Sequence, residues 1–272
     1  MILDEIVENK RREVAERKQR VPQRLLEQRL GQLEVPRNLL IALRNPPSAD
    51  KSAIRNPKSQ ISVIAECKRA SPSRGLIRDP YDPVAIARAY EANGAAAISV
   101  LTDEKYFGGS LGHLEGVHGA VALPVLCKEF ILDEYQVFEA RAVGADAVLL
   151  IAAILDRAQM RDLIEVVWAM RMHALVEVHD ADEIERAAES NTGIIGINNR
   201  NLRTLEVDLR QTERLLPLLP PGAFAVSESG IRSRDDLAYL RDLGVGAVLV
   251  GEHLMAADDP GQALSELLGS DA

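Results

Sequence analysis

Acids, bases and anion ligands stand at the ends of short apolar runs in this 272-residue chain. Glu66 and Lys68 close the run Ser62–Lys68, Lys128 closes Val125–Lys128, and Glu177 sits near the end of Ala174–Val178. Asn198 ends Gly193–Asn198 and is followed by Asn199 and Arg200, while Glu228 and Ser229 end Phe224–Ser229. An ammonium group at such a place can polarise or protonate a carbonyl oxygen, and a carboxylate can take up the proton that another step releases. A buried strand tolerates an unpaired charge poorly, so one such residue is as readily a structural ion pair as a functional group. Five runs carrying them at the same end point to one shared site.

Side chains alternate across a strand, so Glu66 and Lys68 share a face and Cys67 takes the other. Cys127 stands in the same relation to Lys128. Both cysteines are therefore expected to pack beneath helices. They form no disulfide framework and lack metal-type spacing. His113, His118, His173, His179 and His253 show neither H-x-H nor H-E-x-x-H spacing, so no metal site is expected. His179 follows Glu177 closely, and a local hydrogen bond near a helix start is its expected role.

A second group suits a phosphate. Ser229-Gly230 and Gly251-Glu252 follow the last two apolar runs, and the second pair opens a short helical pattern. Free backbone N–H groups at such turns face an anion, and glycine lets the backbone come close. Ser71, after the first run, adds a hydroxyl.

The elements that must position these residues are legible as a repeat. Gly94-Ala-Ala-Ala-Ile-Ser-Val, Gly144-Ala-Asp-Ala-Val-Leu-Leu and Gly244-Val-Gly-Ala-Val-Leu-Val each pair a helix-ending glycine with an apolar strand. Their glycines lie 50 and 100 residues apart, multiples of a βα unit of about 25 residues. Besides the five runs above, Ala96–Thr102, Ala147–Ala152 and Ala247–Gly251 complete eight strands, with helical patterns such as Asp133–Val143 and Asp156–Met172 between them. Eight alternating units predict a closed (β/α)8 barrel spanning one domain, 1–272. A doubly wound open sheet is the weaker reading, because no G-x-G-x-x-G follows the first strand. Residues 1–60 lie outside the repeat: an N-terminal helical extension, read as one or two solvated helices, then a Pro-rich linker at Asn45–Gln60.

Bulk properties narrow the partners. The net charge of −9 argues against nucleic acid and anionic membranes, though not against a small anionic ligand in a locally basic pocket. The longest apolar run, Ala147–Leu155, is far shorter than the roughly 20 residues of a membrane helix. The N-terminus lacks a signal-peptide pattern, so a cytoplasmic protein is expected.

The runs also resemble a known family. Ile64-Ala-Glu-Cys-Lys-Arg-Ala-Ser-Pro-Ser-Arg-Gly75, Leu101-Thr-Asp-Glu-Lys-Tyr-Phe-Gly-Gly-Ser110 and Val125-Leu-Cys-Lys-Glu-Phe130 are similar to motifs of indole-3-glycerol phosphate synthases. So are Leu175-Val-Glu-Val-His179, Gly196-Ile-Asn-Asn-Arg-Asn-Leu202 and Val226-Ser-Glu-Ser-Gly-Ile231, in the same order. The resemblance implies a carboxy-lyase of tryptophan biosynthesis, acting without a cofactor. It would convert 1-(2-carboxyphenylamino)-1-deoxyribulose 5-phosphate into indole-3-glycerol phosphate, carbon dioxide and water. It implies catalytic roles for Glu66, Lys68, Lys128, Glu177, Asn198 and Glu228. Ser71, Arg200, Ser229, Gly230, Gly251 and Glu252 would bind substrate, and Phe107 and Phe130 would pack on its aromatic ring unless they are ordinary core. The protein is expected as a monomer, or in weak association with other tryptophan-pathway enzymes. Two rival readings are an isomerase barrel like phosphoribosylanthranilate isomerase, which pairs a Cys with an Asp, and a non-catalytic phosphate-binding barrel.

Overall fold

β-Branched and aliphatic runs form all eight expected strands: β1 (Ser62–Cys67), β2 (Ala97–Leu101), β3 (Val125–Lys128), β4 (Ala147–Ile151), β5 (His173–Val178), β6 (Ile194–Asn198), β7 (Phe224–Glu228) and β8 (Ala247–Val250). The computed structural model describes residues 2–31, 33–46 and 61–269. Each strand pairs in parallel with its sequence neighbour, and β8 closes on β1 through Ser62↔Ala247 to Ala65↔Val250. The barrel is thus complete. Most of the expected Asn45–Gln60 linker lies outside the described residues.

Gly94, Gly144 and Gly244 all hold φ between +93° and +98°, which ends the preceding helix and turns the chain into β2, β4 and β8. Helix starts are fixed as firmly. Asp133 caps Glu134–Ala142, Asp156 forms a capping box on Arg157–Ala169, and Asp180 caps Ala181–Glu189. These caps lie where chain leaves a strand's C-terminal end, so they set the loops that frame the mouth.

The alternation of each strand divides the apolar residues into two layers. Ile64, Leu126, Leu149, Leu175, Val226 and Leu249 point inward and fill the barrel, whereas Val63, Ala65, Val100, Val148, Val176 and Val248 pack under the helices. Cys67 and Cys127 belong to the outer layer, as expected from their parity with Glu66 and Lys128. Burial drives the Cys67 thiol far above its ordinary range and lifts Cys127 to about 12. Neither is a nucleophile at the mouth. The isomerase reading loses its thiol.

The N-terminal extension holds three helices rather than one or two: α1 (Ile2–Arg20), α2 (Gln23–Leu30) and α3 (Leu39–Arg44). Helix α3 plugs the barrel's lower end with Leu39 and Leu43, which are 0% and 1% exposed, and Ser62 Oγ donates to Leu43 O at 2.5 Å. Helix α1 packs beside Glu134–Ala142, and its first turns reach the opposite end. It is not simply a solvated face. Lys10 is 1% exposed, and its Nζ contacts Glu13, Asp103 and Glu129 at 2.7, 2.8 and 3.0 Å. Asp103 also caps the short helix Glu104–Phe107, and Glu129 lies between Lys128 and Phe130. One buried lysine thereby ties the extension to the segments that carry three expected site residues.

Candidate active site

The inward positions nearest the strand ends carry the chemistry. In register, Glu66 of β1 lies beside Ser99, Glu177 of β5 beside Gly196, and Glu228 of β7 beside both Asn198 and Leu249. Two glycines make room for these carboxylates. A Cβ on Gly196 would stand 2.1 Å from Glu228 Oε1, and one on Gly251 would stand 2.3 Å from Glu66 Oε1. Gly251, expected as a phosphate contact, is thus also the clearance that lets Glu66 occupy its place.

Lys128 is the hub. Its Nζ donates to Glu228 Oε2 at 2.9 Å and faces Glu66 Oε2 and Glu177 Oε2 at 3.7 Å each. Lys68 stands to one side, with Nζ 2.7 Å from Glu66 Oε1. Asn198 Nδ2 donates to Glu177 Oε1 at 3.0 Å. Every expected site residue except Glu228 lines one cavity at this end; Glu228 is 1% exposed and joins the site through Lys128.

The charges are tuned by their company. Burial pushes Lys128 down, but three carboxylates outweigh it and hold the ammonium well above its ordinary value. Burial pushes Glu66 up, and Lys68 and Lys128 overcome that, keeping it below the usual carboxylate range. Glu177 follows the same pattern, its burial offset chiefly by the adjacent His179 and by Lys128. Glu228 differs. Burial, with the repulsion of Glu177 and Glu66, outweighs a lysine shared three ways and raises it to about 7. It is the site carboxyl poised to titrate in the neutral range.

Other expected residues fall around this core. Phe107 and Phe130 face each other with ring centroids 5.9 Å apart, half-buried at the cavity wall, and Phe130 also packs against the barrel's inner apolar cluster. Ser229 holds φ +66°, a strained conformation for a residue with a side chain, and Gly230 follows at +89°. Glu252 opens the helix Glu252–Ala256 but engages Arg74 at 2.9 Å and Arg200 at 3.3 Å. Burial raises its carboxyl, and Arg74 and Arg200 more than reverse that, so it stands as a counter-ion beside the expected anion seat.

His179 makes the local hydrogen bond expected near a helix start, with Glu183, and three further contacts were not anticipated from the sequence. Ile2, Leu3 and Ile6 of α1 add an apolar wall to the cavity, Lys10 anchors that wall, and His179 touches Glu177 as well as the helix that follows it. The amphipathic pattern of α1 announces an apolar face but not what covers it. For His179, the signal was its position two residues after Glu177.

A parallel eight-stranded barrel with two ammonium groups among three carboxylates at the C-terminal mouth is an acid–base enzyme of the (β/α)8 class. Within that class, the chain belongs to the indole-3-glycerol phosphate synthase family, whose sequence model matches residues 3–267. It is 47% identical over 266 residues to the indole-3-glycerol phosphate synthase of Acidithiobacillus ferrooxidans, covering 98% of each chain. The Leptothrix cholodnii enzyme of that name is 55% identical over 208 residues, 76% of this chain and 79% of that one. A solved thiamine phosphate pyrophosphorylase from Pyrococcus furiosus shares only the fold, with TM-score 0.58 and 16% identity over 78% of this chain and 96% of that one. Among the described residues, no helix is long and apolar enough to cross a membrane.

Proposed function

We propose that the cavity closes the indole ring of indole-3-glycerol phosphate from 1-(2-carboxyphenylamino)-1-deoxyribulose 5-phosphate, releasing carbon dioxide and water. The observation that carries this reading is the hub at Lys128, an ammonium held charged by three carboxylates against the apolar wall of Phe107 and Phe130. An aromatic ring lies against that wall. The phosphate is taken by the backbone of Ser229-Gly230 and Gly251-Glu252, with Arg200 and Ser71 beside it.

The carboxyl-bearing ring carbon attacks the ketone, and Lys128 protonates the developing alkoxide. Glu177, a carboxylate, stabilises the positive charge that grows on the aniline nitrogen. The carboxylate leaves as carbon dioxide, returning its electron pair to the ring and restoring aromaticity. Water then departs: Lys68 protonates the hydroxyl, and Glu66 takes the proton that the forming double bond releases. Their 2.7 Å contact lets one regenerate the other. Asn198 holds Glu177 in place, and Glu228 sets the position of the Lys128 ammonium. Two free, buried thiols suit a reducing cytoplasm, where we place the enzyme.

Purified protein given the carboxyphenylamino sugar phosphate should produce indole absorbance and fluorescence with one equivalent of carbon dioxide. Absence of both from folded protein overturns the assignment.

A further inference from the structure

His179 occupies a position that the ring-closure scheme leaves without a role. It lies one residue past β5, with its side chain 14% exposed. Its Nε2 is 3.2 Å from Glu177 Oε1, and its Nδ1 is 3.1 Å from Glu183 Oε2. Nδ1 is hydrogen-bonded to Glu183, while Nε2 meets Glu177 as an ion-pair contact without hydrogen-bond alignment; a ring flanked by two carboxylates is favoured as the doubly protonated imidazolium.

The clamp is fixed from behind. Glu183 Oε2 also accepts the His179 backbone N–H at 2.7 Å, and Glu183 N donates to the capping Asp180 Oδ1 at 2.9 Å. Gln211 Nε2 donates to His179 O at 2.6 Å from the far side. On the site side, Glu177 Oε1 accepts from Asn198, while Oε2 faces Lys128. The chain of contacts Glu183–His179–Glu177–Lys128 therefore runs from the outer helix into the hub.

We propose that His179 is a positioning residue: a permanent imidazolium, braced by Glu183, that fixes the orientation of Glu177 and keeps it a carboxylate throughout turnover. Charged groups facing this pair from the packed elements act in both directions. Lys128 from β3 favours the carboxylate; Glu66 from β1 and Glu228 from β7 oppose it; Asp4, Glu8 and Arg11 of α1, with Arg186, line the cavity outside His179. Burial disfavours the imidazolium, and Glu177 and Glu183 override it, to about 10. Glu177 thereby cannot serve as a proton donor near neutrality. Its work is electrostatic.

Two measurements test this, and the first needs no substrate. Long-range ¹H–¹⁵N NMR of the unliganded protein should show His179 doubly protonated through pH 8.5, with its pKa falling by at least one unit in Glu183→Gln. A neutral ring at pH 7 overturns the proposal. The catalytic half rests on the proposed reaction and is read as a ratio. In His179→Gln, kcat/KM relative to the unchanged protein should fall about tenfold further between pH 8.5 and pH 5.5, as Glu177 becomes able to take a proton. A loss that is the same at every pH marks a merely structural role and overturns it. If the unchanged protein turns over no substrate, the reaction assignment fails and the NMR result still decides the state of His179.

Discussion

Lys128 and Glu228 stand exactly one hundred positions apart in sequence, on non-adjacent strands, yet meet at 2.9 Å inside the barrel. The contact exists because β3 and β7 each direct their last inward side chain to the same level. Lys128 gains a fixed position and Glu228 gains only a third of a counter-ion. That asymmetry underlies the predictions below.

Lys128→Met should leave a folded barrel with turnover reduced by roughly 10²–10⁴-fold, the usual worth of a general acid. Circular dichroism and single-turnover assays read the two effects separately. Near-normal turnover in a folded variant removes Lys128 from the ring-closing step.

Lys68→Met and Glu66→Gln divide the reaction. With the dehydration pair disabled, ring closure and decarboxylation continue, so carbon dioxide appears without a matching amount of indole. Rapid-quench samples of both variants should hold the same cyclised species. Unreacted substrate alone would place the pair in an earlier step.

Glu228→Gln carries a pH signature. The folded-state pKa of Glu228, about 7, lies above the value of an unfolded glutamate, so the native state binds the extra proton between the two. Stability attributable to this group therefore declines as pH rises from about 4.5 to 7 and stays low above it. Gln removes that cost, so the variant should gain on the order of 1–3 kcal/mol over the parent at pH 8 and little at pH 4.5, by urea titration. An ionisation near pH 7 should also vanish from its rate profile. A pH-independent stability difference contradicts the assignment.

Gly251→Ala tests clearance against anion binding. A Cβ there would meet Glu66 Oε1 at 2.3 Å and Glu66 Cβ at 3.0 Å, so kcat should suffer more than KM. A rise in KM alone would make the glycine purely a phosphate contact.

Lys10→Met should be the most destabilising change far from the chemistry, about 3–5 kcal/mol, because it strands Asp103 and Glu129 without a cation. Thermal unfolding measures the loss. The substrate KM should rise as well, since Phe107 and the α1 wall are tied through that lysine.

How much of this was legible follows from what kind of rule each feature obeys. Strand periodicity is local, so Glu66, Lys68, Lys128, Glu177, Asn198 and Glu228 could be assigned to strand ends, and Cys67 and Cys127 to the outer face, from alternation alone. Glycine at a helix end is equally local, and Gly94, Gly144 and Gly244 adopt the positive φ their setting requires. The sequence thus determined the barrel, its polarity and the residue types at its mouth. Only the tertiary structure decided the partners. That Lys128 serves three carboxylates, that Gly196 and Gly251 are spaces for Glu228 and Glu66, and that Lys10 is buried depend on side chains from distant segments meeting at one level. Coulomb energy and burial act through space, and the distances that govern them arise only when the barrel closes.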